Sequence, residues 1–308
     1  QASGMFANNS YDLFLIGNEI RRCYQGVSLM MSPSNIVVRS NLLDANRNAG
    51  IAFMMHSIGR IEGNIIRNGF GGMGMGINIQ SLISSAEIRN NQIYNNQGDD
   101  IALNGNTTPS FIYQNTLHNN KRGIFLGDAH DSPIINNLIT GNREAGIYLN
   151  NGAMTNRFNA YFGNPSHIVN GMGSNLTLDV TEDIFDPRYA SLVNQEEDFH
   201  LRSKNGRPGP AGMQFDVEFS PAIDAGDPNM PVDERKPNGG RVDLGCFGNT
   251  RDSSGSPTIT IRSPHGEPYP PAGISDSALG SLIDGIGMSN SIVTDGSTQY
   301  VCQGWSAV

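Results

Sequence analysis

Two carboxylates stand side by side at Asp99 and Asp100, the cations Lys121 and Arg122 follow about one repeat later, and Arg143-Glu144 come one repeat after those. Brought onto one face, such groups support two kinds of chemistry. The carboxylates can hold Ca2+, a hard cation that takes oxygen ligands, or act on a substrate carboxylate through it. Lys121 and Arg122 add cations beside them, as candidates for proton transfer. A second group of titratable residues is Asp128, His130 and Asp131. Phe125 and Tyr148 offer flat apolar faces against which sugar rings pack. Arg89 and Tyr113 fall in a neighbouring outward column and complete the candidate substrate-binding set. The competing structural reading is a ladder of ion pairs between successive repeats, worth about 0–1 kcal/mol per exposed pair.

What must position these residues is a repeat. Asn followed by an apolar residue two positions on recurs at Asn18, Asn41, Asn64, Asn91, Asn115, Asn137 and Asn159, with spacings of 23, 23, 27, 24, 22 and 22. A second mark, a small residue before a β-branched one, keeps phase with it: Gly26-Val27, Gly50-Ile51, Gly76-Ile77, Asp100-Ile101, Gly123-Ile124 and Gly146-Ile147. Within each repeat the apolar period is 2, so the elements are short strands bounded by Asn and Gly turns. Such a repeat is one coil of a right-handed parallel β-helix of about seven to eight coils, and seven at strand spacing make a rod on the order of 34 Å long. The repeated Asn is expected to take the left-handed conformation of a turn and to bond, amide to amide, with its counterparts in neighbouring coils. The third coil carries extra residues at Gly71-Gly72-Met73-Gly74-Met75, expected to bulge as a loop.

Composition agrees with an all-β solenoid: 37 Gly in 308 residues and few charges. Residues 1–160 hold eleven Lys/Arg and ten Asp/Glu, a net of +1, and residues 161–308 hold nine and nineteen, a net of −10. The acidic half argues against nucleic acid as a partner. No apolar run is long enough to span a bilayer as a helix, so membrane insertion is not expected. Cys23, Cys246 and Cys302 have no metal-ligand spacing, and Cys246 and Cys302 are left open to a disulfide.

Periodicity fades after Asn159, and 160–205 reads as an irregular further coil with a surface excursion. The strings Phe219-Ser220-Pro221-Ala222-Ile223-Asp224-Ala225-Gly226-Asp227-Pro228 and Val242-Asp243-Leu244-Gly245-Cys246-Phe247-Gly248-Asn249 follow. Together they resemble the closing signature of bacterial secreted parallel β-helix proteins of the pectate-lyase-like group. The expected organisation is therefore a β-helix over 1–250 with a cap at about 206–250 over the solenoid end, a linker at 251–257, and an incomplete small β-sandwich-like module at 258–308. The chain reads as a monomeric piece of a larger multidomain protein.

The carboxylate and cation columns resemble those of parallel β-helix lyases, and that resemblance implies that Asp99 and Asp100 hold Ca2+ or the substrate carboxylate and that Lys121 or Arg122 takes the proton α to a uronate carboxyl. Gly98-Asp99-Asp100 is similar to the Gly-Asp-Asp of polygalacturonases, although their companion strings are absent. Asp128-Ala129-His130-Asp131 is similar to the Asp-Pro-His-Asp/Glu of alginate epimerases, with Ala in place of Pro; that resemblance implies a His working in proton exchange at C5. The resemblances imply an extracellular or cell-surface bacterial protein acting on or binding a polysaccharide, possibly one containing uronate, with Ca2+ as the implied ion. The rival expectation is a non-catalytic structural or adhesive rod.

Overall fold

The structure, a computed structural model, describes residues 2–261 apart from 33, 72, 81, 82, 106, 107, 174 and 175, and beyond 261 the strands at 268–269, 273–276, 287–288, 292–295 and 298–301. For residues 128–130, 152–153 and 259 onward only the backbone is described. The chain forms the expected parallel β-solenoid, with seven coils named here for their ladder asparagines.

Each coil has three faces. Face A carries the Gly-Ile strands: Gln25–Met30, Ala49–Met54, Met75–Gln80, Ile101–Asn104 and the starts of Arg122–Ile135 and Ala145–Arg157. Face B precedes the ladder Asn, with Phe14–Ile16, Ile36–Arg39, Ile58–Glu62, Ser85–Arg89 and Phe111–Tyr113. Face C follows it, from Glu19–Arg21 to Asp183–Ile184. All pairings along the rod are parallel and one coil apart. In coils five and six the strands Arg122–Ile135 and Ala145–Arg157 run unbroken from face A into face B, with a register shift between Ala129 and Ser132. Inward positions of all three faces supply one apolar core, including Val27, Ile51, Ile77, Ile101, Ile124 and Ile147.

The asparagine ladder is continuous. Each ladder Nδ2 donates to the next Oδ1 at 2.9–3.0 Å from Asn18 through Asn159. Asn159 then donates to Glu182 Oε1 at 3.2 Å. The conformational expectation is corrected, however. The left-handed residue is the one before each ladder Asn: Gly17, Ser40, Gly63, Asn90, Gln114, Asn136 and Phe158. The turn is made there, and the Asn that follows hydrogen-bonds the backbone across it. A second ladder lies five residues on, where Asn96, Asn120 and Asn142 accept and pass on hydrogen bonds to Asn164. A third column is serine: Ser10, Ser32 and Ser57 donate backbone N–H to the hydroxyls of Ser32, Ser57 and Ser84.

The glycine of the Gly-Ile mark is there for close approach. A Cβ at Gly123 would sit 2.7 Å from the Gly146 carbonyl oxygen and 2.7 Å from Ile139 Cγ2. In the insertion of coil three Gly74 is anchored to the coils on both sides, its N–H donating to Arg47 O at 3.1 Å and its carbonyl accepting from Gly98 N–H at 3.0 Å.

The closing segment corrects another expectation. It runs along the flank of the rod, where Asn90 of coil four donates to the Cys246 and Gly248 carbonyls. Thr116 Oγ1 of coil five accepts from Cys246 N–H, and Asn136 Oδ1 of coil six accepts from Asp227 N–H. Arg157 of coil seven pairs with Asp227 at 3.3 Å. A second apolar cluster seals this seam, with Tyr94, Leu138, Tyr189, Phe199, Leu201, Ile223 and Leu244. The run 251–257, expected as a linker, is docked: Ser254 Oγ donates to Leu201 O at 2.6 Å and Ser256 Oγ to Asp224 at 2.8 Å. Beyond it come short antiparallel pairs; Cys302, and with it the open disulfide, lies outside the described residues.

Candidate functional site

Strand alternation sends neighbouring residues to opposite sides, and this separates Asp99 from Asp100. Asp100 occupies the glycine column and points into the rod, where Asn120 and Asn96 donate to its two oxygens. Burial drives its carboxyl well above the usual range, outweighing those hydrogen bonds. Asp99 turns outward and is gripped at both oxygens by Arg122, Nε at 2.6 Å and Nη2 at 2.8 Å. Paired catalytic carboxylates of the Gly-Asp-Asp kind are thus not formed. Ca2+ at Asp99 and Asp100 finds no support either, because each carboxylate already has its donors. Among the described residues no three His, Cys, Asp or Glu side chains gather as a metal site.

What face A does assemble is an arginine over two aromatics. Phe125 and Tyr148 are register partners on coils five and six, with ring centroids 5.8 Å apart and planes 27° from parallel. The Arg122 guanidinium lies 4.3 Å from the Phe125 centroid and 4.8 Å from that of Tyr148, within the range of a cation–π contact. Asp99 holds the Nε–Nη2 edge of the fork, so the Nη1 edge makes no protein hydrogen bond among the described residues. The strand that carries Arg122 and Phe125 also carries Asp128 and His130, whose side chains lie outside the described residues. Asp131, at the far end of that turn, accepts from Thr155 Oγ1 at 3.1 and 3.2 Å.

Other predicted residues lie elsewhere. Lys121 meets Glu144 at 3.6 Å at the corner of faces C and A. Arg89 is on face B, where its Nε and Nη2 both donate to Glu62 Oε2 at 2.9 and 2.6 Å. Tyr113, also on face B, donates its hydroxyl to Glu87; burial and that carboxylate push the phenol up to about 12. Arg39 and Arg60 join the same network, at 3.6 Å from Glu62 and 2.9 Å from Glu87. A shallow groove of about 450 Å³ runs beside it, floored by Phe14 and Ile16.

Sequence reasoning missed a cluster at the seam between coil four and the closing segment. There His200 Nδ1 meets Asp198 at 2.5 Å, and Arg207 bridges Asp198 and Asp216 at 3.2 and 2.9 Å. His200 stacks flat on Phe247 at 3.6 Å. Burial raises the Asp198 carboxyl, but the hydrogen bonds from His200 outweigh that and hold it below the usual range. An open cavity of about 830 Å³ lies beside these residues, with Gln92, Glu197 and Gln214 also on its wall. The alternating Asp198-Phe199-His200-Leu201, with Phe199 and Leu201 buried, was the available signal.

Comparison with known proteins agrees on the fold. Residues 56–182 match a family model described as a right-handed beta helix region. Residues 1–85 match one described as a periplasmic copper-binding protein (NosD). No curated protein matches the chain. Among solved structures, a crystal structure of a periplasmic alginate epimerase aligns with a TM-score of 0.31 and 15% identity, over 56% of this chain and 48% of the other. The alignment thus takes in about half of that protein's length.

Proposed function

We propose that the chain is an exported, glycan-binding β-helix whose contact surface is Arg122 with Phe125 and Tyr148 on face A. The observation that carries this reading is the placement of the guanidinium, fixed by Asp99 on one edge, over both rings. A sugar ring packs on the aromatic column, and a uronate carboxylate takes the remaining Nη1 edge through a charge-assisted hydrogen bond. Asp128 and His130, on the same strand, are the residues that would exchange a proton at C5 if the protein is also an epimerase or lyase. No step of this reading runs through a metal. The residues of 1–85 that suit copper are the thioethers of Met30, Met31, Met54 and Met55 with His56, because soft ligands favour cuprous ion.

The test is an array of neutral and uronate oligosaccharides at low and physiological salt, with unsaturated products followed by absorbance and C5 inversion by NMR. Salt-sensitive uronate binding that weakens about tenfold in Arg122→Ala, the loss of one charge-assisted contact, supports the reading. Tyr148→Leu, which leaves the Asp99–Arg122 pair intact, should weaken neutral and uronate ligands alike. If no glycan binds and no product forms, the reading as a non-catalytic surface rod prevails. One observation favours that rival: six of the eleven cations in the first half meet carboxylates along the columns, Arg21 and Arg67 at Asp44, Arg39 and Arg89 at Glu62, Lys121 at Glu144 and Arg122 at Asp99. Pairing of this kind leaves little net field to steer an anionic chain.

A further inference from the structure

We infer a binding site for an organic ammonium, best met by an amino sugar, in the cavity at the seam between coil four and the closing segment. The cavity measures about 830 Å³, within the range of small-molecule sites. Separate segments wall it: Gln92 of coil four, the strand Asp198–Leu201, the hairpin of Arg207–Gly209 with Gly212–Gln214, and Phe247 with Asp252 beyond them. Gln92 belongs to face C and Arg122 to face A, so the site is separate from the proposed glycan surface.

The wall is held by buried charge. Arg207 is buried and every nitrogen of its guanidinium is engaged, Nε and Nη2 on Asp216 at 2.9 and 3.4 Å and Nη1 on Asp198 Oδ2 at 3.2 Å. Asp198 Oδ1 in turn meets His200 Nδ1 at 2.5 Å. In the neutral imidazole the proton sits on Nδ1, towards the carboxylate, and Nε2 is left as an acceptor. These contacts lock the Tyr189–Ser191 and Asp198–Leu201 pair to the hairpin that carries Arg207. The imidazole also lies flat on Phe247, with ring planes 10° from parallel.

What this wall lacks is donors and positive charge. The carboxylates of Glu196, Glu197, Asp198 and Asp252 line it against the one guanidinium of Arg207, which Asp198 and Asp216 already hold. The Glu196 and Asp252 carboxylates make no ion pair or hydrogen bond among the described residues. Glu197 Oε1 accepts from Asn95 Nδ2 at 2.8 Å, but Glu197 Oε2 and His200 Nε2 are buried with no partner among the described residues. Buried acceptors seldom stay unfilled, because each has given up its hydration. Pro208 and Pro210 add carbonyls to the wall without N–H groups. No three His, Cys, Asp or Glu side chains among the described residues converge as a metal site, so the matching charge must come on a ligand wide enough to reach them separately. The unfilled buried acceptors are single atoms on different side chains, which suits the three diverging N–H bonds of an ammonium better than the flat fork of a guanidinium. A sugar ring completes the fit, packing on the His200–Phe247 stack, with hydroxyls for the side-chain amides of Gln92 and Gln214. Neither amide makes a hydrogen bond among the described residues.

The experiment titrates the full chain with the β-1,4-linked glucosamine dimer, its N-acetylated counterpart and 1,5-diaminopentane, at low and physiological salt. The glucosamine dimer should bind with an affinity that falls as salt rises. Its acetylated counterpart keeps the rings and loses the charge, and should bind at least about tenfold more weakly. The diamine reads the ammonium without a ring: tighter binding of the dimer identifies an amino sugar, tighter binding of the diamine a linear polyamine. Glu196→Gln combined with Asp252→Asn, both at exposed positions, should weaken the dimer about tenfold with the thermal transition retained. Glu197→Gln, which keeps an oxygen for Asn95, should act in the same direction. Arg122→Ala should leave ammonium binding unchanged, so failure here and failure of the face A reading are told apart. The inference is overturned if neither amine binds at millimolar concentration, if the acetylated dimer binds as tightly as the free amine, or if the carboxylate variants bind it like the parent.

Discussion

Replacing Asn115 by Leu removes the middle rung of the ladder, and the cost can be worked from its contacts. Asn115 Oδ1 accepts from the Asn91 backbone N–H and from Asn91 Nδ2, both at 3.0 Å. Its Nδ2 donates to Ile88 O at 2.9 Å and to Asn137 Oδ1 at 3.0 Å. Asn91 Nδ2 keeps Ile61 O at 2.9 Å, and Asn137 Oδ1 keeps the Asn115 backbone N–H at 2.9 Å. Two buried groups, the Asn91 N–H and the Ile88 carbonyl, are therefore left without these partners, and the part-buried Tyr113 carbonyl also loses its bond from Nδ2 at 3.0 Å. At about 1–3 kcal/mol for each unsatisfied buried group, the variant should lose about 2–6 kcal/mol. Asn18→Leu, at the part-exposed end where no ladder amide donates to it, should lose under about 1 kcal/mol. Urea unfolding of the two variants beside the parent measures the difference, and amide exchange at Asn91 reports the local opening. A loss under about 0.5 kcal/mol for Asn115→Leu, or equal losses for both variants, would refute the claim that the buried ladder stabilises the rod through satisfied polar groups.

Three further outcomes follow from the same geometry. His118 packs against Tyr189 and Phe199, where burial lowers its imidazole to about 4. Its neutral form is the folded one, so its contribution is present above pH 6.5 and is lost as pH falls from there towards 4, on the order of 3 kcal/mol at the acid end. Thermal unfolding of His118→Gln should therefore show a shallower decline than the parent over that window, and superimposable curves would discard the assignment. Gly123→Ala places a methyl group against the Gly146 carbonyl and Ile139, and should cost about 1–3 kcal/mol in urea unfolding. Millimolar Ca2+ should leave the melting temperature unchanged, since Asp99 is held by Arg122 and Asp100 by Asn96 and Asn120; a rise that Asp99→Ala abolishes would contradict this.

A coiled solenoid writes itself into sequence because each coil contacts mainly its neighbours. Contacts repeat at one fixed offset, so Asn91 to Asn115 and Ile101 to Ile124 are periodic marks as well as physical neighbours. That is why the fold, the core and the first asparagine ladder were legible, and why the stacking of Phe125 on Tyr148 followed from register. The second ladder was equally periodic, but Cys23 and Gly69 interrupt it at two coils and mask the pattern. The opposite fates of Asp99 and Asp100 were also implicit, since a period of 2 sends adjacent residues to opposite sides. Tertiary structure alone decided the rest. The contact of Asn90 with Cys246 and Gly248 spans more than 150 residues and recurs nowhere, so no offset announces it. The same holds for the flank position of the closing segment, for the packing of His118 against Tyr189 and Phe199, and for the His200, Asp198 and Arg207 cluster. Repetition encodes what one coil does to the next, whereas a single long-range docking is settled only by which apolar surface the stacked coils leave uncovered.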